Sequence, residues 1–280
     1  MTGYLDFKFD PDGPGVVDAF DELTFWSSLF GQLLFRHLRL VPGLTALDVG
    51  CGTGFPLFEL ADRLGPSGRV HGIDLWRSAV VRARRKAQVR GNANLRIIHG
   101  DASRLPYAGG TFDLIVSNVG INNFRDPGRV MAECRRVIKS GGRLVLTTNL
   151  VGHMREFYAA YEQTLLDLGH ERAVERLREQ EGHRATLEGL RNLFIRAGFR
   201  VTACHTETHE LHYADGTALL NAYLTRLGFL DGWKEVLGAS EPVSEVFAEL
   251  EARLNRTARQ HGEGLCLSVP AAFIEGCPTG

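Results

Sequence analysis

Three glycines in five residues, at positions 50, 52 and 54, follow an apolar run that carries Asp48 near its end, in the stretch LTALDVGCGTG at 44–54. Glycine admits positive φ and lets a ligand approach the backbone closely, and a helix starting after such a loop offers unpaired N–H groups to an anion such as a carboxylate. A plain strand-to-helix turn needs one glycine, so the pattern favours a ligand loop. The spacing also restricts the ligand. A dinucleotide pyrophosphate is served by G-x-G-x-x-G, whereas this loop is G-x-G-x-G with Phe55 next. Two more carboxylates fall at the ends of apolar runs. Asp74 closes RVHGID, where it can accept both hydroxyls of a ribose. Asp101 follows NLRIIHG, where an adenine amino group could donate to it. The plainer reading of each aspartate is a surface or capping residue; the recurrence at successive strand ends argues for binding.

The elements that must position these residues show in the periodicity. From 44 to 150, short apolar runs (LTALDV, RVHGID, NLRIIH, FDLIVS, RLVLTT) alternate with amphipathic segments at about 55–64, 77–90 and 127–138. That alternation predicts a parallel sheet with right-handed crossovers. Residues 16–40 carry apolar positions at helical spacing, stopped by Pro42-Gly43. A further amphipathic helix is expected at 153–168, then an Arg/Glu-rich stretch to about 184 read as a solvated helix. A helix at 186–197 precedes the strand FRVTACHTETHELHY, and LCLSVPAAFI reads as the last strand. Residues 215–262, between those two strands, are helical and too apolar for a linker, so they are expected to pack on the sheet as a lid. The expected organisation is an N-terminal helical cap at 1–43, a cofactor-binding core at 44–150, and substrate-side helices, insertion and closing strands of the same domain at 151–280. No internal repeat or low-complexity tract occurs.

Taken together, LDVGCGTG, GIDLW, GDASRLP, FDLIVSN and VIKSGGRLVLTT resemble the successive motifs of class I S-adenosylmethionine-dependent methyltransferases. The resemblance covers 44–150. It implies a Rossmann-like α/β fold whose seven strands run 3-2-1-4-5-7-6, the last antiparallel, and S-adenosylmethionine as cofactor. By that resemblance Gly50, Gly52 and Gly54 pass the methionine part, with Asp48 and Cys51 in the same loop. Asp74 holds the ribose and Leu75 lies beside the adenine. Asp101 and Ala102 read the adenine edge, and Ser117 or Asn118 sits near the methionine amino group. The subgroup resembled is the ubiquinone/menaquinone-biosynthesis type. After the fourth strand many of its members carry an aromatic, histidine-rich loop, while this chain reads SNVGINNFRDP, so quinone specificity does not carry across.

Methyl transfer is an in-line displacement that chiefly needs alignment and exclusion of water; a base helps only if the acceptor must lose a proton. Candidates for the acceptor side are Trp26, Asn122, Asn123, Glu156 and Tyr158, with His153 as the base because imidazole titrates near neutrality. Each also has an ordinary reading as a cap or core residue. The expected substrate pocket is walled by 118–124, the start of the 153–168 helix and the 215–262 insertion.

A metal reading of HTETHELH fails, because HELH is one residue short of H-E-x-x-H and the segment is a strand. On a strand His205 and His209 stand ~13 Å apart, too far to share an ion with ~2 Å bonds. The five cysteines are scattered without a C-x-x-C, which disfavours disulfides, a zinc knuckle and thiol-based arsenic chemistry. Arg82, Arg84, Arg85, Lys86 and Arg90 read as a solvated basic face.

A net charge of −1 gives no field to gather nucleic acid or anionic lipid. No signal-like start and no run of eighteen apolar residues occur, so a cytoplasmic protein without a membrane span is expected. The favoured function is a small-molecule methyltransferase. A protein or RNA methyltransferase, or a binder of the cofactor that transfers nothing, stand behind it, and nothing in the sequence sets the oligomeric state.

Overall fold

The computed structural model describes residues 3–13, 15–182, 184–239 and 241–280. In chain order the elements are α1 (Val16–Asp21), α2 (Thr24–His37), β1 (Thr45–Val49), α3 (Leu57–Leu64), β2 (Arg69–Asp74), α4 (Arg77–Arg90), β3 (Leu95–His99), β4 (Phe112–Asn118), α5 (Pro127–Val137) and β5 (Ile138–Asn149). There follow α6 (Arg155–Asp167), α7 (Glu171–Gly182), α8 (Leu187–Arg196), β6 (Phe199–Tyr213), α9 (Gly216–Asn221), α10 (Tyr223–Gly228), α11 (Leu230–Glu235), α12 (Val243–His261) and β7 (Leu265–Pro278).

The strands form a seven-stranded sheet in the order β3-β2-β1-β4-β5-β7-β6. β1 through β5 pair in parallel. β7 runs against its neighbours: Arg143 on β5 reaches Glu275 while Leu150, further along, donates to Pro270, and Gly198, just before β6, and Thr202 on β6 meet Thr279 and Glu275. The fold is the Rossmann-like one expected, with the last strand antiparallel. Parallel strands buried on both faces need near-continuous apolar runs. Ala46, Leu47 and Val49 of β1 and Leu114, Ile115 and Val116 of β4 supply them, all buried. The register sets Asp48 opposite both Gly72 and Val116, and Asn118 opposite Thr147, so the carboxyl ends of β1, β2, β4 and β5 finish together. That edge is where ligands of open α/β sheets bind.

The chain divides into two compact units. One comprises Asp10–Thr148, Thr186–Glu207 and Ala271–Gly280; the other Met1–Phe9, Asn149–Ala185 and Thr208–Pro270. β6 and β7 each contribute residues to both units. The second unit has its own core, in which Tyr158, Tyr161, Trp233, Val246, Phe247 and Leu250 are buried. Within it Phe157 stacks on Trp233 at 3.8 Å. The helices of the 215–262 insertion supply much of this core, which accounts for their apolar composition. α7, expected to be solvated, instead buries Ala173, Val174 and Leu177 on one face. Its apolar residues are few, and their stripe was masked by the surrounding Arg and Glu. Among the described residues no helix is long and apolar enough to cross a membrane.

Candidate cofactor-binding site

The turn after β1 is shaped by its glycines: Gly50, Gly52 and Gly54 have φ of 78, 50 and 116°. Gly54 is the most constrained, since a Cβ there would lie 2.1 Å from the Phe58 ring. The loop is tied to the neighbouring strand by its own amides. Gly50 and Cys51 donate to the carbonyl of Ile73 at 2.9 and 3.2 Å, and Gly54 donates to Cys51 at 2.8 Å. These amides are therefore committed within the protein, and the loop offers close approach more than free donors. Phe55 packs against Gly31 of α2, where a Cβ would come within 2.3 Å of the ring. The position after Gly54 is thus occupied by a packed aromatic.

Asp74 is fixed by two backbone donors, Gly52 N–H to Oδ2 at 2.8 Å and Trp76 N–H to Oδ1 at 2.7 Å. The Leu75 amide adds a third backbone hydrogen bond to this carboxyl, so of the about four acceptor sites of an ionised carboxylate about one remains for a ribose hydroxyl. Asp48 stands differently. It is fully buried, and neither carboxylate oxygen has a hydrogen-bond partner among the described residues. Burial, and then the nearby Asp74, raise its pKa well above the usual carboxylate range. Burial also raises that of Asp74, against the hydrogen bonds from Trp76 and Gly52. A cation that donates hydrogen bonds would satisfy the unpartnered Asp48 oxygens and favour their ionised form.

The remaining expected contacts vary. Leu75 is 62% exposed beside Asp74, as an adenine-covering residue would be. Asp101 is exposed and caps the following turn by accepting from the Ser103 amide at 2.8 Å, and Ala102 follows it half-buried. Cys51 is buried, and burial with Asp48 and Asp74 nearby pushes its thiol well up; it is a packing group, not a nucleophile. Ser117 donates to the Val49 carbonyl at 2.7 Å. Asn118 donates to Ser27 at 3.0 Å and accepts from Thr147 at 2.7 Å. Both of these serve first to hold the strand ends.

Among the acceptor-side candidates, Trp26 is half-buried with its ring edge-on to Phe30 at 5.1 Å. Asn122 and Asn123 are exposed, and Asn122 accepts from Thr148 at 2.5 Å. The other three belong to the second unit. Glu156 accepts from the amide and hydroxyl of Ser268 at 2.8 and 2.5 Å, joining α6 to β7. Tyr158 is buried with its hydroxyl accepting from the Trp233 indole at 3.3 Å. His153 is 1% exposed beside the Phe229 ring at 5.5 Å. Burial, then the Arg184 charge, lowers its pKa to about 3, with Glu156 opposing.

An imidazole with a pKa lowered in this way is neutral at pH 7 and a weak proton acceptor, which favours a packing role for His153 over that of the expected base. His153→Leu is expected to keep turnover within about threefold, while His153→Ala costs stability on the order of 2–4 kcal/mol through the cavity left. The pH response separates the two roles. The folded pKa lies below the unfolded ~6.5, so the stability it contributes is present above pH ~6.5 and lost as pH falls toward 3. Melting curves from pH 7 to 4 should fall less steeply for His153→Leu than for wild type. A turnover loss of hundredfold with unchanged melting would restore the base.

Three features escaped the sequence reading. Asp21 of α1 hydrogen-bonds Lys86 and Arg82 of α4 at 2.6 and 3.0 Å, and also Thr53 of the glycine loop. Burial pushes its carboxyl up, but these three partners outweigh it and hold it below the usual range. The basic helix face is thus in part a clamp for α1. Trp76, after Asp74, donates to the Pro11 carbonyl at 3.0 Å and meets Phe20 edge-on. Val119, directly after β4, sits at φ 60°, a strained conformation for a β-branched residue, worth about 1–3 kcal/mol. Its amide donates to Thr147 at 2.9 Å, which helps hold it.

A family model described as a methyltransferase domain matches residues 40–188, the stretch holding every residue of this site except those on α1 and α2. The chain belongs to the methyltransferase domain family. The S-adenosylmethionine expected from the sequence motifs fits this site: it carries an ammonium and a sulfonium, and Asp48 presents a buried carboxyl with no hydrogen-bond partner among the described residues. The demethylmenaquinone methyltransferase of Geobacillus sp. (strain WCH70) is 35% identical over 137 residues, 48% of this chain and 58% of that protein. That of Anoxybacillus flavithermus (strain DSM 21510 / WK1) is 32% identical over 173 residues, 59% of this chain and 73% of that protein. The match thus spans little more than half the length of the first relative. A crystal structure of a SAM-dependent methyltransferase from Aquifex aeolicus aligns with a TM-score of 0.52 at 22% identity, over 70% of this chain and 92% of that one, a likeness in fold.

Proposed function

We propose that this methyltransferase moves the methyl group of S-adenosylmethionine to a small-molecule acceptor by in-line displacement. The observation that carries the reading is the unpartnered Asp48 carboxylate next to a glycine loop and a second carboxylate. This combination favours a cationic nucleoside ligand over an anionic dinucleotide. The bound cofactor supplies an activated methyl on sulfur. Asp74, preset by Gly52 and Trp76, orients the ribose; Asp48 receives the ammonium; Thr53, braced by Asp21, steadies the loop between them. Transfer then depends on alignment, and the weak basicity of His153 suits an acceptor that needs no proton removed by that group. The near-zero net charge and the two relatives' named activity support a small acceptor of low charge.

The test is a calorimetric comparison of S-adenosylmethionine, S-adenosylhomocysteine and NAD, followed by a screen of phenols, amines, thiols and quinols with labelled donor. Binding of the two adenosine ligands without NAD, and label transfer to at least one acceptor, are expected. NAD binding as tightly as the adenosine ligands overturns the cofactor assignment. Transfer to protein or RNA but to no small molecule overturns the acceptor class.

A further inference from the structure

β6 and β7 are hydrogen-bonded neighbours in the sheet, and His212 of β6 comes up to Cys266 of β7 across them. Side chains two apart on a strand share a face, and Glu210 therefore lies on the side of His212. The structure realises this. His212 Nε2 is 3.3 Å from Glu210 Oε2 and 3.9 Å from Cys266 Sγ, and all three donor atoms lie within 4.8 Å of one another. The three side chains are exposed, and this is the one such cluster found among the described residues.

We propose that Glu210, His212 and Cys266 bind a borderline-soft divalent cation of the zinc type. Imidazole, thiolate and carboxylate are the donors zinc takes, and tetrahedral bonds of ~2.0–2.3 Å place donors about 3.3–3.8 Å apart. The His212–Glu210 separation of 3.3 Å meets that spacing, and the His212–Cys266 separation of 3.9 Å lies just outside it. A hard cation such as Mg²⁺ is excluded by the donor set, which contains sulfur and nitrogen and a single oxygen ligand. Two hydrogen-bonded strands carry the ligands, so little backbone ordering is left for the ion to impose. Exposure leaves the fourth position to water. The bound ion clips the β6–β7 ladder inside the second unit and takes no part in the cofactor site. The HTETHELH segment is thus metal-binding through a residue pair that the His205/His209 reading did not contain: His205 is engaged elsewhere, stacked on His37 at 3.7 Å.

The experiment uses the full chain, untagged, reduced and metal-free, titrated with Co²⁺ while following the thiolate-to-cobalt absorption, then with Zn²⁺ in competition. One ion per chain is expected, with a thiolate band that Zn²⁺ removes and a higher melting temperature when zinc is bound. Cys266→Ser should abolish the band, and His212→Ala should weaken binding roughly tenfold or more. Cys204→Ser should change neither, and circular dichroism confirms that all variants fold. Absence of a band in the wild type, or a band of equal strength in Cys266→Ser, overturns the site.

Discussion

Asp74→Ala is expected to weaken S-adenosylmethionine binding about a hundredfold. A charge-assisted hydrogen bond to a ribose hydroxyl contributes up to ~3 kcal/mol, and each ~1.4 kcal/mol is tenfold. The substitution also strips the Gly52 and Trp76 amides of their acceptor, so the loop that receives the methionine part loses its anchor. A melting-temperature drop should therefore accompany the affinity loss. Asp74→Asn separates the two effects. It keeps the volume and one acceptor oxygen but removes the charge, so it should recover part of the stability and less of the affinity. Calorimetry and thermal melts on the three proteins decide this, and wild-type affinity within twofold in Asp74→Ala would remove the residue from the site.

Asp48→Asn is expected to move stability and affinity in opposite directions. The folded pKa of Asp48 is raised by burial and by Asp74, so its favourable contribution is present below the unfolded value of ~3.9 and disappears as pH rises through the folded one. At neutral pH the ligand-free wild type thus carries a strained buried acid. The asparagine variant cannot ionise, so it escapes the cost of a buried charge and should be the more stable of the two as pH rises. The same change removes the partner of the cofactor's ammonium, so binding should weaken by tenfold or more, ~1.4 kcal/mol. The wild type's affinity should also rise with pH as Asp48 ionises, a dependence the variant lacks. Urea unfolding and binding titrations across pH 5–9 check both arms. A ligand-free Asp48→Asn no more stable than wild type at pH 8 would contradict the strain.

The sheet was legible because each of its strands pairs an apolar run with a turn signal, and because Asp48, Asp74 and Asp101 mark successive strand ends. α4 was read as 77–90 and spans Arg77–Arg90. What escaped reading depends on contacts remote in sequence. The Glu210–His212–Cys266 cluster needs the β6–β7 register, which periodicity does not supply. The contact of Asp21 with Thr53 needs α1 folded against the glycine loop. The weak basicity of His153 comes from burial by Phe229 and its surroundings, and its residue type alone pointed to a base. Tyr158 and Glu156 were singled out for their chemistry; in the structure the Tyr158 hydroxyl accepts from the Trp233 indole and Glu156 accepts from Ser268. The strain at Val119 is invisible to residue type, since valine there argues for a strand.

Asp48 also bears on the chain's population balance. A ligand that binds the native chain and not the unfolded one stabilises by RT ln(1 + [L]/Kd), about 2.7 kcal/mol at a hundredfold excess over Kd. Folded domains stand only ~5–15 kcal/mol above unfolding. A fold that buries one carboxyl without a hydrogen-bond partner beside another begins lower on that scale than its packing alone would set. The methyl donor is then a folding ligand by mass action as well as a reactant, and the fraction of chain that survives proteolysis is coupled to the donor's own concentration.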